Sequence, residues 1–560
     1  MPAGCSKLLK YRRVAIVILL AACAFLVMAG VLMFNMEVRP RLVLDPVTCD
    51  GKRLADLSAK ENPDAHNIRA SVLLGFSPDS RRFVTHHMER ADYDPHRMIQ
   101  VWDTSSGQEQ ARLVVSDTSV ARSERIRAFQ FSPDCRFLAV GLNQHDRQTI
   151  RLLEIATGQE RTFQAIEYCF SPDGSQIAVV EHCDYPGSRQ LRVVDAANGL
   201  EIAFVARIVG SDRHGVRGFF DVAYLPDGRT LTYTIYKSLK SVKNGAARVR
   251  NKREGFCVVF WDLKTSQRRR TIAIAGDLCH VIAPNGKLLA ALSGHFSKRS
   301  CKVWDLETGR VVAQLKADCL RRLTDVRFAP DSSTLIAARA KLSGSRLFDP
   351  PPIHVIAVWD VKTQRLLAVY DANEPAPNGR AVDGYYDSRH SLLPRYALRR
   401  YVHGPSRIIE VTTGQECFTL SEELQQPNSS VQDICISLSP SQCLVIQAQS
   451  GYRSPNPIRE WFAGHVPSLV APTGSYDYWI RCWDMTTGHE YPTLPGTSEY
   501  PVFAPDSRTL ATFGDDGRIR FWDLPPHKPL GIILAWSCVP ALAVLMIAWW
   551  FNQRKKIVSV

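Results

Sequence analysis

The stretch CKVWDLETGRVVAQL, Cys301–Leu315, decides the fold. It reads as a strand ending in Trp304-Asp305, a tight turn at Thr308-Gly309 and a second strand. Gly reaches positive φ without a Cβ clash, which suits a hairpin turn. Echoes recur along the chain at Trp102-Asp103, Leu153-Glu154, Val194-Asp195, Trp261-Asp262, Trp304-Asp305, Trp359-Asp360, Ile409-Glu410, Trp483-Asp484 and Trp522-Asp523. Most lead into a Gly turn: SSGQ (105–108), ATGQ (156–159), ANGL (197–200), ETGR (307–310), TTGQ (412–415) and TTGH (486–489).

A second signature precedes the echoes. It reads FSPDS (76–80), FSPDC (131–135), FSPDG (170–174), YLPDG (224–228), IAPNG (282–286), FAPDS (328–332), LSPSQ (438–442) and FAPDS (503–507). Pro presets φ, Asp caps its own backbone, and Gly or Ser closes the turn. Alternating apolar runs follow, such as LLAALSG (288–294) and TLATFGD (509–515), and period-two alternation is the strand signal. Each unit is then strand a, Pro-Asp turn, strand b, variable loop, strand c with Trp-Asp, Gly turn and strand d. Four short strands at a period of about 40–55 residues predict a propeller blade. One blade cannot bury both its faces, so blades must stack.

The units resemble WD40 repeats of the bacterial kind, marked by FSPDG and VWDxxTG, over about residues 41–524. The resemblance implies an all-β chain: a single β-propeller of eight or nine WD40-like four-stranded blades. Trp102, Asp103, Trp261, Asp262, Trp304, Asp305, Trp359, Asp360, Trp483, Asp484, Trp522 and Asp523 are its repeat-structural residues. The Gly-His dipeptide that opens such units in the family is largely missing here, since Gly294-His295 and Gly464-His465 sit at the wrong offset. The family's Asp-His-Ser/Thr-Trp relay is therefore not expected in most blades.

The 560 residues carry a formal net charge of +14. No nucleic-acid motif accompanies that charge, so nucleic acid is not an expected partner. Twelve of the fifteen cysteines fall in the repeat region, many at strand positions such as Cys279, Cys301 and Cys482. They read as small core hydrophobes, with disulfides as the alternative.

Residues 1–13 hold Lys7, Lys10, Arg12 and Arg13 without an acid, and 14–34 is uncharged. That length spans about 30 Å of hydrocarbon. Leu20-Ala21-Ala22-Cys23 also resembles a lipoprotein box, and a cleaved signal is a further alternative. The sequence turns polar only well after Cys23, which favours an uncleaved helix. Residues 530–551 form a second uncharged span ending in Trp549-Trp550, a pair suited to a membrane interface. The expected domains are a basic cytoplasmic N-terminus (1–13), a transmembrane helix (14–34), the propeller (41–527), a transmembrane helix (530–551) and a basic cytoplasmic tail (552–560). Residues 41–57 look like a c–d hairpin, and 52–57 is the expected strand that completes the last blade. The outer flanks hold seven Lys/Arg against Arg39, Arg41 and Lys528 on the inner flanks. The positive-inside rule then places the propeller outside the cytoplasmic membrane.

Long insertions share one position, between strands b and c: 86–98, 181–190, 237–255, 340–353 and 450–478. They would emerge on one face, opposite the Gly turns and the membrane. Insertions on one face of a repeat protein usually mark its binding face. One holds Lys237, Lys240, Lys243, Arg248, Arg250, Lys252 and Arg253 before the first acid, Glu254. This run suits an acidic partner or an anionic polymer, or is simply a solvated loop. His86, His87, Glu89, Asp92, Asp94 and His96 crowd another insertion in a spacing that matches no metal motif. Trp461, Phe462, Tyr476, Tyr478 and Trp479 would form an aromatic patch or pack on their own blade.

No G-x-S-x-G elbow or GxxxxGK[ST] loop occurs, and no cofactor, metal or catalytic residue is expected. The function expected is a membrane-anchored, non-enzymatic protein-interaction scaffold. The alternative is a ligand-sensing or quinone-type cofactor-using propeller in the cell envelope. In that family a Trp follows the turn, whereas Leu315 and Val369 stand here.

Overall fold

The computed structural model describes residues 3–35, 38–44, 71–88, 97–114, 125–144, 147–182, 189–208, 220–237, 255–275, 279–293, 300–316, 325–329, 331–340, 353–371, 375–376, 379–380, 396–399, 407–410, 415–419, 432–441, 443–452, 476–495, 501–513 and 518–557. Helix α1 (Ala3–Asn35) leads in and α2 (Leu530–Ile557) leads out. Between them the described strands form nine antiparallel sheets and one short ribbon.

Sheet 1 holds β2 (Ser71–Phe76), β3 (Arg82–Met88), β4 (Arg97–Asp103) and β5 (Glu109–Val114). Sheet 2 holds β6 (Arg125–Phe131), β7 (Phe137–Gln144), β8 (Arg147–Glu154) and β9 (Glu160–Phe163). Sheet 3 holds β10 (Ala165–Phe170), β11 (Gln176–His182), β12 (Arg189–Asp195) and β13 (Glu201–Ile208). Sheet 4 holds β14 (Phe220–Tyr224), β15 (Thr230–Lys237), β16 (Gly255–Asp262) and β17 (Gln267–Ala275). Sheet 5 holds β18 (Cys279–Ile282), β19 (Leu288–Ser293), β20 (Ser300–Asp305) and β21 (Val311–Leu315). Sheet 6 holds β22 (Asp325–Phe328), β23 (Thr334–Ala340), β24 (Ile353–Asp360) and β25 (Leu366–Asp371). The ribbon is β26 (Pro375–Ala376) with β27 (Gly379–Arg380). Sheet 7 has three strands, β28 (Tyr396–Arg399), β29 (Arg407–Glu410) and β30 (Glu416–Thr419). Sheet 8 holds β31 (Gln432–Leu438), β32 (Leu444–Tyr452), β33 (Tyr476–Asp484) and β34 (Glu490–Pro495). Sheet 9 holds β35 (Val502–Phe503), β36 (Thr509–Phe513), β37 (Ile519–Asp523) and, outermost, β1 (Leu42–Leu44).

Strand c ends at the acidic residue of each echo, from Asp103 to Asp523. The strand completing sheet 9 corrects the sequence reading. Leu42 pairs with Phe521 and Leu44 with Ile519. That fills the open side of β37, and 52–57 lies outside the described residues. Several strands also run further into the b–c insertions than the apolar alternation suggests. His86 and His87 pair with Ile99 and Met98, and Tyr452 pairs with Tyr476.

Packing between sheets buries the rest of the apolar alternation. One cluster joins Val84, Val101 and Leu113 of sheet 1 to Phe131, Leu138 and Leu153 of sheet 2. Equivalent clusters join sheets 2 and 3, 3 and 4, 4 and 5, 5 and 6, and 8 and 9. A further one joins the ends of the series: Phe76, Phe83 and Trp102 of sheet 1 with Leu44, Ala511 and Phe521 of sheet 9. Fully burying one such side chain contributes about 1.5–3 kcal/mol. The first strands of neighbouring sheets lie side by side, as β10 with β14, β18 with β22 and β35 with β2.

The Pro-Asp turns repeat one hydrogen-bond design. Ser77 Oγ donates to Asp79 Oδ1 at 2.5 Å and accepts from Arg82 N at 2.9 Å. Ser132 and Ser171 do the same. The turn's fourth residue is left-handed, and where it is not Gly the chain accepts Ser80 (φ 61), Cys135 (61), Ser332 (60) and Ser507 (61). That conformation costs an L-residue about 1–2 kcal/mol. The serines use it for a contact between sheets. Asp506 N donates to Ser80 Oγ, Asn285 N to Ser332 Oγ and Ser441 N to Ser507 Oγ, at 3.2, 3.2 and 2.8 Å. In these three places one turn thus holds the next, and the bond from Asp506 runs from sheet 9 back to sheet 1.

Candidate functional site

Where both are described, strands a and c finish at the same end of their sheet, so the Pro-Asp turns and the turns between strands c and d share that end. The b–c connections share the other. The acidic residues that close strand c organise the turn end. Asp103 Oδ1 accepts from Ser105 N (3.0 Å) and Ser106 N (2.8 Å), and Asp484 Oδ1 from Thr486 N (2.8 Å) and Thr487 N (2.9 Å). Asp305 and Asp360 accept from Thr308 N and Thr363 N, each at 2.6 Å. Asp262 accepts from Lys264 N (2.9 Å) and is clasped by Arg229 at 2.7 Å. Hydrogen bonds to the ionised form lower a carboxyl pKa. The Ser105 hydroxyl leads for Asp103, the Arg229 guanidinium for Asp262 and the Thr486 hydroxyl for Asp484, and all three fall to about 2. These acids are turn caps, and their carboxylates are occupied in holding the turns between strands c and d.

Asp523 differs because the chain leaves the sheet there. Its partner is Arg41 Nη1, at 3.1 Å, and Arg41 Nη2 also donates to Thr104 O of sheet 1 at 3.2 Å. Leu42 and Leu44 press under the Gly turn of sheet 1. A Cβ on Gly107 (φ +71) would stand 2.8 Å from Leu44 Cδ2. Just upstream, Val38 is buried in the core shared by sheets 8 and 9, with Ile480, Phe503 and Trp522. The chain therefore enters and leaves at one seam, on the turn end. The two helices pack there through Leu32 and Ile533, with Met28 and Ile532 against them, and Lys528 Nζ donates to the carbonyl of Met33. Val14–Met33 and Leu530–Phe551 are long and apolar enough to cross a membrane, and most of their side chains are exposed.

The tryptophans divide into two kinds. Trp102 Nε1 donates to Thr85 Oγ1 at 2.9 Å and Trp522 Nε1 to Thr512 Oγ1 at 2.8 Å. Both threonines lie on strand b, two residues beyond the residue paired with the Trp. The equivalent positions hold Tyr233, Ala291, Ala337 and Gln447. Accordingly Trp359 Nε1 turns to Lys316 O at 3.3 Å, and Trp261 Nε1 is buried without a hydrogen-bond partner among the described residues. The Trp–Thr half of the relay exists only at the seam, again among the described residues.

Sheets 4 and 5 share a polar contact on their inner strands. His280 Nε2 lies 3.2 Å from Thr234 Oγ1, and its Nδ1 lies 3.7 Å from Asp221 Oδ2. Burial pulls the imidazole below its ordinary pKa, and Asp221 opposes that. Thr234 is fully buried, which suits a structural tie rather than a nucleophile. Cys135, Cys257 and Cys482 are buried and free, and Cys301 is buried. Burial pushes the thiols of Cys169 and Cys482 up to about 12, so they are inert. Among the described residues no three His, Cys, Asp or Glu side chains gather as metal ligands would.

At the b–c end, Lys237 closes β15 opposite Gly255. Lys240, Lys243, Arg248, Arg250, Lys252 and Arg253 lie outside the described residues, as do Trp461 and Phe462. Tyr476, Tyr478 and Trp479 belong to β33 rather than to a loop, and Trp479 is buried.

A sequence profile described as "WD domain, G-beta repeat" matches residues 497–523. This is sheet 9 with its Trp522–Thr512 bond. No curated protein matches the chain. Similar solved structures include the Dos1 propeller, at 10% identity over 88% of this chain and 97% of that one, with a TM-score of 0.43. The eukaryotic initiation factor is 15% identical over 76% and 87%, with a TM-score of 0.43. Sqt1 of Chaetomium thermophilum, bound to the N-terminus of ribosomal protein L10, is 14% identical over 87% and 100%, with a TM-score of 0.39. The matched unit and the recurrence of its pattern support a WD40 β-propeller family.

Proposed function

We propose that this chain is a membrane-anchored, non-enzymatic interaction scaffold. In this reading the nine sheets close as one propeller, α1 and α2 cross a bacterial cytoplasmic membrane, and the propeller stands on its outer side. One observation carries the reading. The chain enters at Arg41 and leaves at Asp523 on the turn end, while the b–c connections open at the opposite end. Anchor and display are thereby separated across the thickness of the sheets.

Partners are other proteins, met by the b–c connections. A rigid body with variable loops loses little ordering entropy on binding. The run from Lys237 to Arg253 would steer an acidic partner surface. The orientation follows from the seven Lys/Arg of the outer flanks. Of the three inner cations, Arg41 is held by Asp523 and Lys528 by the Met33 carbonyl. The non-enzymatic part rests on the sequence, which lacks a nucleophile elbow and a phosphate loop.

Protease shaving of intact and opened cells, with a tag at each end, tests the proposal. Cleavage of the propeller from outside with both tags preserved is expected. Cleavage only after opening would reverse the orientation, and loss of the N-terminal tag alone would replace the helical anchor by processing near Cys23.

A further inference from the structure

The outer strands carry a code at one register position. On strand d, the residue paired with the Trp position of strand c is Glu109, Glu160, Glu201, Glu416 and Glu490 in sheets 1, 2, 3, 7 and 8. Several of these glutamates meet a cation from strand c or d: Arg112 with Glu109 at 2.5 Å, Arg192 with Glu201 at 3.5 Å and Arg481 with Glu490 at 2.6 Å. In the three consecutive sheets 4, 5 and 6 the same position holds Arg268, Val311 and Leu366.

The change is not confined to that position. The next residues are Arg269, Val312 and Leu367, and the two valines and two leucines are exposed, Val311 by 49% and Leu367 by 40%. Gln364 ties the strands together. Its Oε1 accepts from Gln314 N at 3.2 Å and its Nε2 donates to Val312 O at 3.4 Å. The four apolar side chains thus lie on neighbouring outer strands, just past the turns between strands c and d. Lys264, Arg310, Lys362 and Arg365 are exposed beside them, with Glu307 the one exposed acid of these turns, while the nearby Asp305 and Asp360 are occupied as turn caps.

We propose that this sector of the turn end rests on the surface of an anionic phospholipid bilayer. The occupant follows from two features. Both apolar helices leave from the same end of the sheets, so a bilayer holding them faces the turns. An exposed aliphatic patch ringed by Lys and Arg is the chemistry that enters an anionic headgroup layer. Sheets 4–6 stand midway along the series and the helices at its two ends. The helical hairpin and the patch are then two separate footholds, and together they hold the body flat. The inference rests on the anchored reading above.

The test uses the full chain in vesicles of phosphatidylcholine with or without phosphatidylglycerol, both carrying brominated acyl chains. A fluorescent amino acid replaces Val312 or Leu367, and Glu160 of sheet 2 as the control. In anionic vesicles, quenching at 312 and 367 should exceed that at 160 several-fold. It should fall in neutral vesicles and in the variant Lys264→Glu/Arg268→Glu/Arg269→Glu. Equal quenching at all three sites, in protein that stays with the vesicles through an alkaline carbonate wash, overturns the lipid foothold alone. Protein stripped by that wash overturns the anchored reading, and this proposal with it.

Discussion

The seam between sheets 9 and 1 and the middle of the series, sheets 4–6, are built from one repeat in two ways. At the seam, polar side chains are paired. Trp102 and Trp522 each find a threonine, and Arg41 bridges Asp523 and the Thr104 carbonyl. In the middle, tryptophans pack without that bond, and the outer strands turn aliphatic and basic side chains to solvent. Trp359 is fully buried all the same. A Trp-to-Thr bond is therefore not needed to bury a unit's Trp, and among the described residues that bond occurs where the two chain ends meet. An edge there would otherwise lie open.

Leu44→Ala attacks the seam. It removes the buried side chain that joins sheet 9 to the Gly107 turn, and should cost about 2–5 kcal/mol, read as a lower unfolding midpoint. A shift no larger than that of an exposed substitution such as Val43→Ala would mean that β1 is not part of the closure.

Trp-to-Phe exchanges sharpen the contrast. Trp522→Phe strands the buried Thr512 hydroxyl and should cost about 1–3 kcal/mol. Trp261→Phe removes an indole N–H that has no partner among the described residues, so stability should hold or rise. Equal losses at both sites in denaturant titrations would erase the distinction between the two kinds of unit.

The middle should also answer to pH. Burial lowers the His280 pKa below its ordinary 6.5, so the unfolded chain takes up its proton first. This contribution is whole above pH 6.5 and is lost as pH falls from there through the folded value. His280→Asn should flatten the part of the stability profile that falls as pH drops below 6.5. An unchanged profile would remove the inner-strand tie from the account.

The smallest effect concerns the left-handed turn residues. Ser332→Gly relieves strained backbone and gives up the bond from Asn285 N. These terms are each about 1–2 kcal/mol and nearly cancel. Ser332→Ala keeps the strain and loses the bond, and should be the less stable of the two in thermal melts. The reverse order would mean that the left-handed turn carries no strain, and a Ser332→Ala melt equal to that of the unchanged chain would mean that the turn-to-turn bonds carry no weight.

Much of this is legible in the residues. Strand c can be placed to its last residue because Trp-Asp followed by a Gly turn fixes both register and end. The closing strand cannot. Leu42–Leu44 offers only three residues of alternation, whereas the sequence of 41–57 reads as a longer hairpin through Asp50-Gly51. The strand ends at His86–His87 and Ser450–Tyr452 stay hidden because polar residues continue the ladder after the apolar alternation stops. The alternation of Glu109, Glu160 and Glu201 with Arg268, Val311 and Leu366 is present as the residue two places after each turn's Gly position. It gains meaning only when strand pairing shows which positions are equivalent. The basic run of Lys237–Arg253 is visible from charge alone, and charge alone does not fix a partner.

The most direct test is a density map of the full chain in a lipid nanodisc. The account predicts nine sheets closed as a ring, Leu42–Leu44 as the outer strand of the ninth, and the disc beneath the Gly turns. A gap between sheets 6 and 8, or a disc at the b–c end, would contradict it.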